Sequence, residues 1–201
     1  MGQAIAAALG APVNVESELT RLRSGDLDAL TAMVERYQSR LYRYLLRLVK
    51  QTGAAEDLFQ QTWLRVMERI RSYDPQRSFE AWLFSVAHNL AIDYFRRCRP
   101  ESLDEPLPSG QTGLEILSTT GPSALEYLLA RERKEWLADA ISELSVPYRE
   151  VLTLRFEEEM KLEEIATVLA VPLATVKTRL HRALKGLRQV LGKRSEMGAL
   201  L

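Results

Sequence analysis

The stretch KLEEIATVLAVPLATVKTRLHR, Lys161 to Arg182, has the pattern of two short helices joined by a tight turn. Apolar residues recur at helical spacing in its first half, at Leu162, Ile165 and Leu169. The small Ala166 leaves room for a second helix to cross closely. The turn is expected at Ala170 to Pro172, because proline disfavours helical geometry in the residue before it and suits the start of a helix. The pattern predicts a helix-turn-helix.

The second helix of this pair is strongly basic. From Ala174 to Arg194 there are seven basic residues and no acidic one, which is typical of a helix that meets DNA phosphates and base edges. The alternative is a solvated C-terminal helix whose cations suit the helix dipole. The proline turn and the paired apolar registers favour DNA binding.

Charge is unevenly distributed along a chain whose net charge is zero. Arg21 to Pro100 holds 14 basic and 9 acidic residues, Glu101 to Ser145 holds 3 and 9, and Val146 to Leu201 holds 10 and 7. Two basic blocks therefore flank an acidic middle, and this asymmetry is more informative about partners than the sum.

Helical periodicity and the absence of strand-like alternation predict an all-α protein of two small helical domains joined by a flexible linker, the second containing the helix-turn-helix. Several prolines and glycines between Arg99 and Pro122 indicate the linker. The expected divisions are a loose leader (1–20), a first domain (21–99), an acidic linker (100–123), a second domain (124–194) and a tail (195–201).

Three helices are expected in the first domain and two before the helix-turn-helix in the second. The first runs over Leu27–Val49, the second over about Ala54–Arg71 and the third begins after Ser78 as N-cap. In the second of these, one side is expected to be buried: Phe59, Trp63, Val66, Met67 and Ile70. The later pair is expected at Leu125–Leu144 and from about Ser145.

Cysteine and histidine usage argues against a disulfide, a metal site or an enzyme. The single cysteine, Cys98, has no partner within the chain, and His88 and His181 lie in different domains. No apolar run approaches the roughly 20 residues that cross a bilayer. We expect a cytoplasmic protein without cofactor, metal, catalytic residues or direct membrane insertion.

Two blocks of the chain, Leu27 to Arg99 and Glu143 to Leu191, resemble the small bacterial sigma factors of the extracytoplasmic-function (ECF) group, which keep sigma regions 2 and 4. The first block contains ERYQSRLYRYLLRL, AEDLFQQTWLRV and YDPQRSFEAWLFSVAHNLAIDYFRR. The second contains LSVPYREVLTLRFEEEMKLEEIATVLAVPLATVKTRLHRAL. Both occur in the family's order and spacing.

The resemblance implies that one helix face grips the clamp helices of core RNA polymerase, while the polymerase flap is a further contact of the protein. We call this face the polymerase patch; it comprises Asp57, Gln60, Gln61 and Leu64. A polar, acid-containing face with an exposed leucine suits a partner helix that carries arginines. Gln61 stands where the family commonly has an acidic residue, so the grip is expected to be weaker or differently paired.

The resemblance further implies a −10 set that melts the −10 promoter element and holds a flipped base: Arg65, Arg69, Tyr73, Phe84, Asn89, Arg96 and Arg97. Capture of a base needs an aromatic wall, an amide for the base edge and cations along the strand. The alternative for Tyr73 and Phe84 is a place in the hydrophobic core. For Asn89 the expectation of a contact with the flipped base is more specific.

For the −35 element the resemblance implies a −35 face on the last helix: Thr175, Lys177, Thr178, Arg179 and Arg182. Whether its cations address guanine edges or phosphates is left open by the sequence. Ala174 stands where the family often has glycine, and alanine fits if the backbone there is helical. The acidic linker corresponds to a segment in the polymerase RNA channel of relatives, and an anti-sigma protein is a further implied partner.

The function expected from this resemblance is that of a promoter-recognition subunit of RNA polymerase without catalytic chemistry. A free-standing helix-turn-helix regulator is the alternative. It accounts for the second domain but leaves the polymerase patch and the block from Tyr73 to Arg99 unexplained. A small helical enzyme is disfavoured because no glycine-rich phosphate loop or metal-ligand cluster occurs.

Overall fold

The computed structural model describes residues 15–98 and 136–198, with side chains as far as residue 192. In these residues the structure is helical and contains no strand, which confirms the all-α class. The first part contains α1 (Val15–Arg23), α2 (Leu27–Val49), α3 (Thr52–Arg69), a 3₁₀ turn (Ile70–Ser72) and α4 (Phe79–Cys98). The second contains α5 (residues 136–142), α6 (Val146–Leu152), a π-helical turn (Thr153–Glu157), α7 (Leu162–Val168) and α8 (Leu173–Gly198).

Helix α2 has the bounds that the sequence predicts. Asp26 caps its start by accepting hydrogen bonds from the backbone N–H groups of Asp28 and Ala29, at 2.9 and 3.3 Å. The helix ends where Lys50 adopts a left-handed φ of 54° and donates its N–H to the carbonyl of Leu46. A long stripe of α2 is buried, which makes it the central element of the first domain.

Helix α4 begins after Ser78, as predicted. The Ser78 Oγ accepts from the Ala81 N–H at 3.2 Å, the geometry of an N-cap. Helix α3 differs in one respect from its prediction: Met67, expected in the core, is 43% exposed. Met67 follows Trp63 by four residues and Leu64 by three, so it lies at the border between the buried and the exposed side of the helix.

Residues 15–20 are helical, so the expected loose leader is wrong from Val15 onward. In α1, Leu19 and Leu22 are buried at helical spacing and belong to the same core as α2. The expected tail is also shorter, because α8 continues to Gly198. The expected linker, 100–123, lies outside the described residues, as does most of the helix expected at Leu125–Leu144.

The helix-turn-helix is confirmed. In its turn, Ala170 has a left-handed φ of 50°, a conformation that costs an alanine about 1–2 kcal/mol. Glu164 accepts from the Lys161 N–H at 2.8 Å at the start of α7. Helix α8 begins at Leu173, and Ala174 therefore lies in its first turn, where alanine is tolerated as expected.

The two parts pack against each other. Helix α6 contacts α2 and helix α7 contacts α4, while α6 also packs on α8 within the second part. Buried residues from both parts belong to one hydrophobic cluster. The structure is therefore a closed arrangement of the two predicted domains.

Candidate functional site

The −35 face lies on the outer side of α8. Val176 and Ala183 are buried on the opposite side, which fixes the rotation of the helix. Lys177, Thr178 and Arg182 are exposed, whereas Thr175 and Arg179 are half-buried. Four of the five predicted residues line one open pocket of about 450 Å³: Thr175, Thr178, Arg179 and Arg182. Two guanidinium groups beside hydroxyls suit phosphate oxygens or acceptor edges of bases.

Sequence reasoning missed three further residues of this pocket: Ser145, Pro147 and Tyr148. They belong to the start of α6, which the packing of α6 on α8 brings beside the basic helix. Close approach is visible at Gly186, where an added Cβ would lie 3.2 Å from the Leu144 Cδ2. Nothing in the local sequence signals this, because the two helices meet only through tertiary packing.

The polymerase patch is a continuous exposed face of α3. All four of its residues are exposed, and they recur at offsets of three, four and seven residues, which places them on one side of a helix. Leu64, the apolar member of the patch, is 60% exposed. Met67 extends the same face by one turn and was not predicted to do so.

The polar members of the −10 set are exposed, on α3 and α4. Asn89 and Arg96 are seven residues apart and therefore share one side of α4, with Arg97 adjacent. Arg96 lies 3.8 Å from Asp93 and Arg65 lies 3.7 Å from Glu68, both as exposed pairs. Such pairs contribute little to stability, so these guanidinium groups are available to a ligand at low cost. Arg69 is likewise exposed.

The aromatic members of the −10 set lie in the core. Phe84 has no exposed surface, and its ring packs edge-on against Tyr44 at 5.1 Å. Tyr73 is 4% exposed, packs against Phe79 and Trp82 and donates its hydroxyl to the Arg77 carbonyl. In this arrangement neither ring offers a face to a base. The structure supports the alternative, that both are core residues.

A buried polar cluster lies between the two domains and does not involve any predicted site residue. Glu150 on α6 is 2% exposed and accepts the Tyr44 hydroxyl at 2.6 Å. The Nδ1 of His88 lies 2.7 Å from the same carboxylate oxygen, which is hydrogen-bond distance. Burial, reinforced by the Glu150 carboxylate, raises the pKa of Tyr44 well above its usual value, which keeps its hydroxyl a donor.

Further hydrogen bonds and ion pairs surround this cluster. Arg149 donates to the Leu48 carbonyl at 3.0 Å, and burial lowers its pKa to about 10, which leaves it charged at neutral pH. Arg40 pairs with Glu158 at 2.7 Å, and Arg47 pairs with Glu157 at 2.7 Å. Helix α2 thus binds the acidic segment that follows α6.

Within residues 15–98 and 136–198, no three potential metal ligands lie together, and none of the helices there is long and apolar enough to span a bilayer.

Both halves of the chain match models of a known protein family. The model described as Sigma-70 region 2 matches residues 33–100, and the model described as Sigma-70, region 4 matches residues 134–187. The chain is 31% identical to the ECF RNA polymerase sigma factor SigW of Bacillus subtilis, covering 88% of this chain and 96% of that protein. It is 32% identical to the ECF RNA polymerase sigma factor SigL of Mycobacterium tuberculosis, covering 81% of this chain and 88% of that one.

Solved structures show the same fold at lower identity. CnrH in complex with the cytosolic domain of CnrY aligns with a TM-score of 0.62 at 23% identity, covering 89% of this chain and 97% of that one. RpoE of Bartonella quintana, solved with the anti-sigma factor NepR, aligns with a TM-score of 0.62 at 21% identity, covering 81% and 96%. The two matched regions, in order, and relatives aligned over most of their length show that this chain belongs to the ECF RNA polymerase sigma factors.

Proposed function

We propose that the polymerase patch on α3 binds core RNA polymerase, that α4 engages the −10 element and that the −35 face of α8 reads the −35 element. As a member of its family, the protein is a sigma factor that directs promoter-specific transcription initiation by RNA polymerase. One observation supports the assignment of these residues to polymerase and DNA. The polymerase patch on α3 and the basic pocket on α8, which is lined by Arg179 and Arg182, are both exposed and lie on separate helices of one chain.

The exposed groups suit two different kinds of DNA contact. The basic side of α8 suits duplex DNA, because a helix fits the major groove and its cations reach phosphates and guanine edges. On α4, an exposed amide followed by two arginines suits a single strand: Asn89 reads a base edge while Arg96 and Arg97 hold the backbone. Tyr73 and Phe84 support this surface from the core.

Run-off transcription tests the function as a whole. Core polymerase reconstituted with this protein on genomic DNA fragments is expected to start at a limited set of new sites. Core enzyme alone provides the control. A free-standing regulator would instead bind duplex promoter DNA without polymerase and produce no new starts, so the same assay separates the two functions.

Replacing Arg179 with alanine is expected to weaken holoenzyme binding to promoter fragments by about 5- to 100-fold. If Arg179 contacts a phosphate, the slope of log affinity against log salt falls by about 1; if it contacts a base, the loss depends on the −35 sequence. Fluorescence anisotropy at several KCl concentrations measures both. Arg188→Ala removes the same charge from the same helix outside the pocket and should have a smaller effect. Equal losses in the two variants would contradict the assignment.

Replacing Asn89 with alanine is expected to impair promoter opening by about 5- to 150-fold while core polymerase binding stays unchanged, because one bidentate contact to a base is worth about 1–3 kcal/mol. Permanganate reactivity of unpaired thymines in the −10 element measures opening. Gln38→Ala removes an exposed amide from α2 and serves as the control. Thymine reactivity equal to that of the parent protein would argue against Asn89 as a base reader.

An anti-sigma protein is a further proposed partner. The support is that RpoE of Bartonella quintana, which shares this fold, was solved with the anti-sigma factor NepR. We also propose that the protein works in the cytoplasm, where RNA polymerase acts, and that it contributes binding rather than catalysis to initiation. Affinity capture with the full chain, followed by competition with core polymerase, tests for such a partner.

A further inference from the structure

Arg23, the last residue of α1, binds the segment that connects α3 to α4. Leu19 and Leu22 are buried on one side of α1, and Arg23 follows Leu19 by four residues, so it lies beside that buried side. Its Nε donates to the Ile70 carbonyl at 3.3 Å, and its Nη2 donates to the Tyr73 carbonyl. The guanidinium also lies over the Tyr73 ring, 5.7 Å from the centroid. One cation therefore holds both ends of the 3₁₀ turn.

Arg21, on the same helix, binds different groups. It is exposed and pairs with Glu18 at 3.1 Å and with Asp26 at 2.8 Å. Arg23 is half-buried, and within the part of the chain that the structure describes its recorded hydrogen bonds go to the two carbonyls. A hydrogen bond from a charged group to a partly buried acceptor contributes more than an exposed ion pair. Substitution of Arg23 therefore affects the connection between α3 and α4, whereas substitution of Arg21 affects α1 and the turn after it.

Tyr73 extends this contact to the start of α4. Its hydroxyl donates to the Arg77 carbonyl, and the next residue, Ser78, caps α4. Its ring packs on Trp82 in the first turn of α4, at 5.1 Å between centroids. Arg23, Tyr73 and the first turn of α4 thus form one continuous set of contacts. The direction in which α4 leaves the connection depends on Arg23 through this set.

We propose that Arg23 is a positioning residue for the −10 element, and that α1 belongs to the unit that reads this element. Arg23 acts through Tyr73 on α4, which presents Asn89 to the base and Arg96 and Arg97 to the strand. The inference rests on the proposed function of α4, and it adds a helix that precedes the matched region 2, residues 33–100. A side chain that reads a base edge tolerates little displacement, because a hydrogen bond lengthened from about 2.9 Å to about 3.6 Å is lost.

Base discrimination by the holoenzyme tests this role. The probe is the non-template strand of a promoter found by run-off transcription, compared with the same oligonucleotide carrying scrambled −10 bases. Arg23→Met keeps the apolar stem and removes the charge, and the ratio of the two affinities is expected to fall by about two- to 30-fold. Arg23→Lys keeps the charge but not the planar fork, so it should retain part of the ratio. Arg21→Met removes the same charge from the same helix and should keep the parent's ratio.

A double variant separates positioning from general destabilisation. If Arg23 acts through the contact that Asn89 makes, Arg23→Met combined with Asn89→Ala discriminates no worse than Asn89→Ala alone. Losses that multiply would show that the two residues act independently and would overturn the proposal. Backbone hydrogen exchange in residues 73–78 should be faster in Arg23→Met and unchanged in Arg21→Met. Circular dichroism and core polymerase binding check the fold, and Arg23→Lys is the milder variant if Arg23→Met loses helix content.

Failure of the inference and failure of the proposed function give different results. A parent holoenzyme that binds both oligonucleotides equally would show that the proposed −10 function is wrong, and the positioning role would fall with it. A parent that discriminates, together with an Arg23→Met variant that discriminates equally well, would overturn the positioning role alone.

Discussion

Replacing Leu64 with arginine is expected to lower the affinity for core RNA polymerase by about 30- to 1000-fold while leaving the fold intact. Leu64 is 60% exposed on α3, so its removal costs the free protein little. If Leu64 is an anchor residue of the polymerase interface, truncating it costs about 2–4 kcal/mol. A positive charge adds repulsion if the polymerase helix carries arginines.

Binding of labelled protein to core polymerase measures this effect, with thermal unfolding as the check on folding. Gln38→Arg places the same side chain at an exposed position on α2 and should bind like the parent. Gln61→Glu restores the acidic character that the family commonly has at this position and should tighten binding several-fold. Leu64→Arg binding within threefold of the parent would show that α3 does not contact polymerase through this face.

The sequence predicted the helix-turn-helix well because it depends on local rules, whereas the polymerase patch was implied by the family resemblance and only its placement on one side of a helix follows from spacing. Spacings of three and four residues determine which side of a helix faces the core, and a proline sets where the turn falls. Spacings of three, four and seven residues put Asp57, Gln60, Gln61 and Leu64 on one side of α3, and the structure exposes all four. The role assigned to them remains a prediction.

Contacts between distant parts of the chain could not be predicted. Glu150 meets Tyr44 and His88, which lie 106 and 62 residues away, and a buried glutamate on a short helix has no local signature. Tyr148 and Ser145 join the basic pocket for the same reason. Three consecutive acidic residues follow α6, and their charge does not indicate which of them is buried. Glu158 is buried against Arg40 because another domain covers it.

Aromatic residues on α4 show a different limit of prediction from the sequence. Nearly every position along one broad side of this helix is apolar, so periodicity does not distinguish a side chain in the core from one that lines a surface pocket. Asn89 was separable because its amide is polar and lies outside that stripe, and the structure exposes it. Phe84 was not separable, and only packing against Tyr44 places it inside.

Replacing Phe84 with alanine is expected to destabilise the protein by about 3–5 kcal/mol, the usual cost of deleting a large aromatic side chain from a packed core. The ring has no exposed surface and its edge-on contact with Tyr44 is lost in the variant. Because a single domain is stabilised by only about 5–15 kcal/mol, much of the first domain's stability would be removed. A ring that served mainly as a wall for a flipped base would be partly exposed and cost far less.

Urea unfolding followed by circular dichroism measures the loss. Phe156→Ala is the matched control, because Phe156 is 60% exposed and its removal should change the free energy of unfolding by less than about 0.5 kcal/mol. Phe84→Leu keeps most of the buried volume, so it should recover most of the stability lost in Phe84→Ala. A core role requires promoter opening to recover together with stability in this variant. Recovered stability without recovered opening would instead assign the ring to the −10 element.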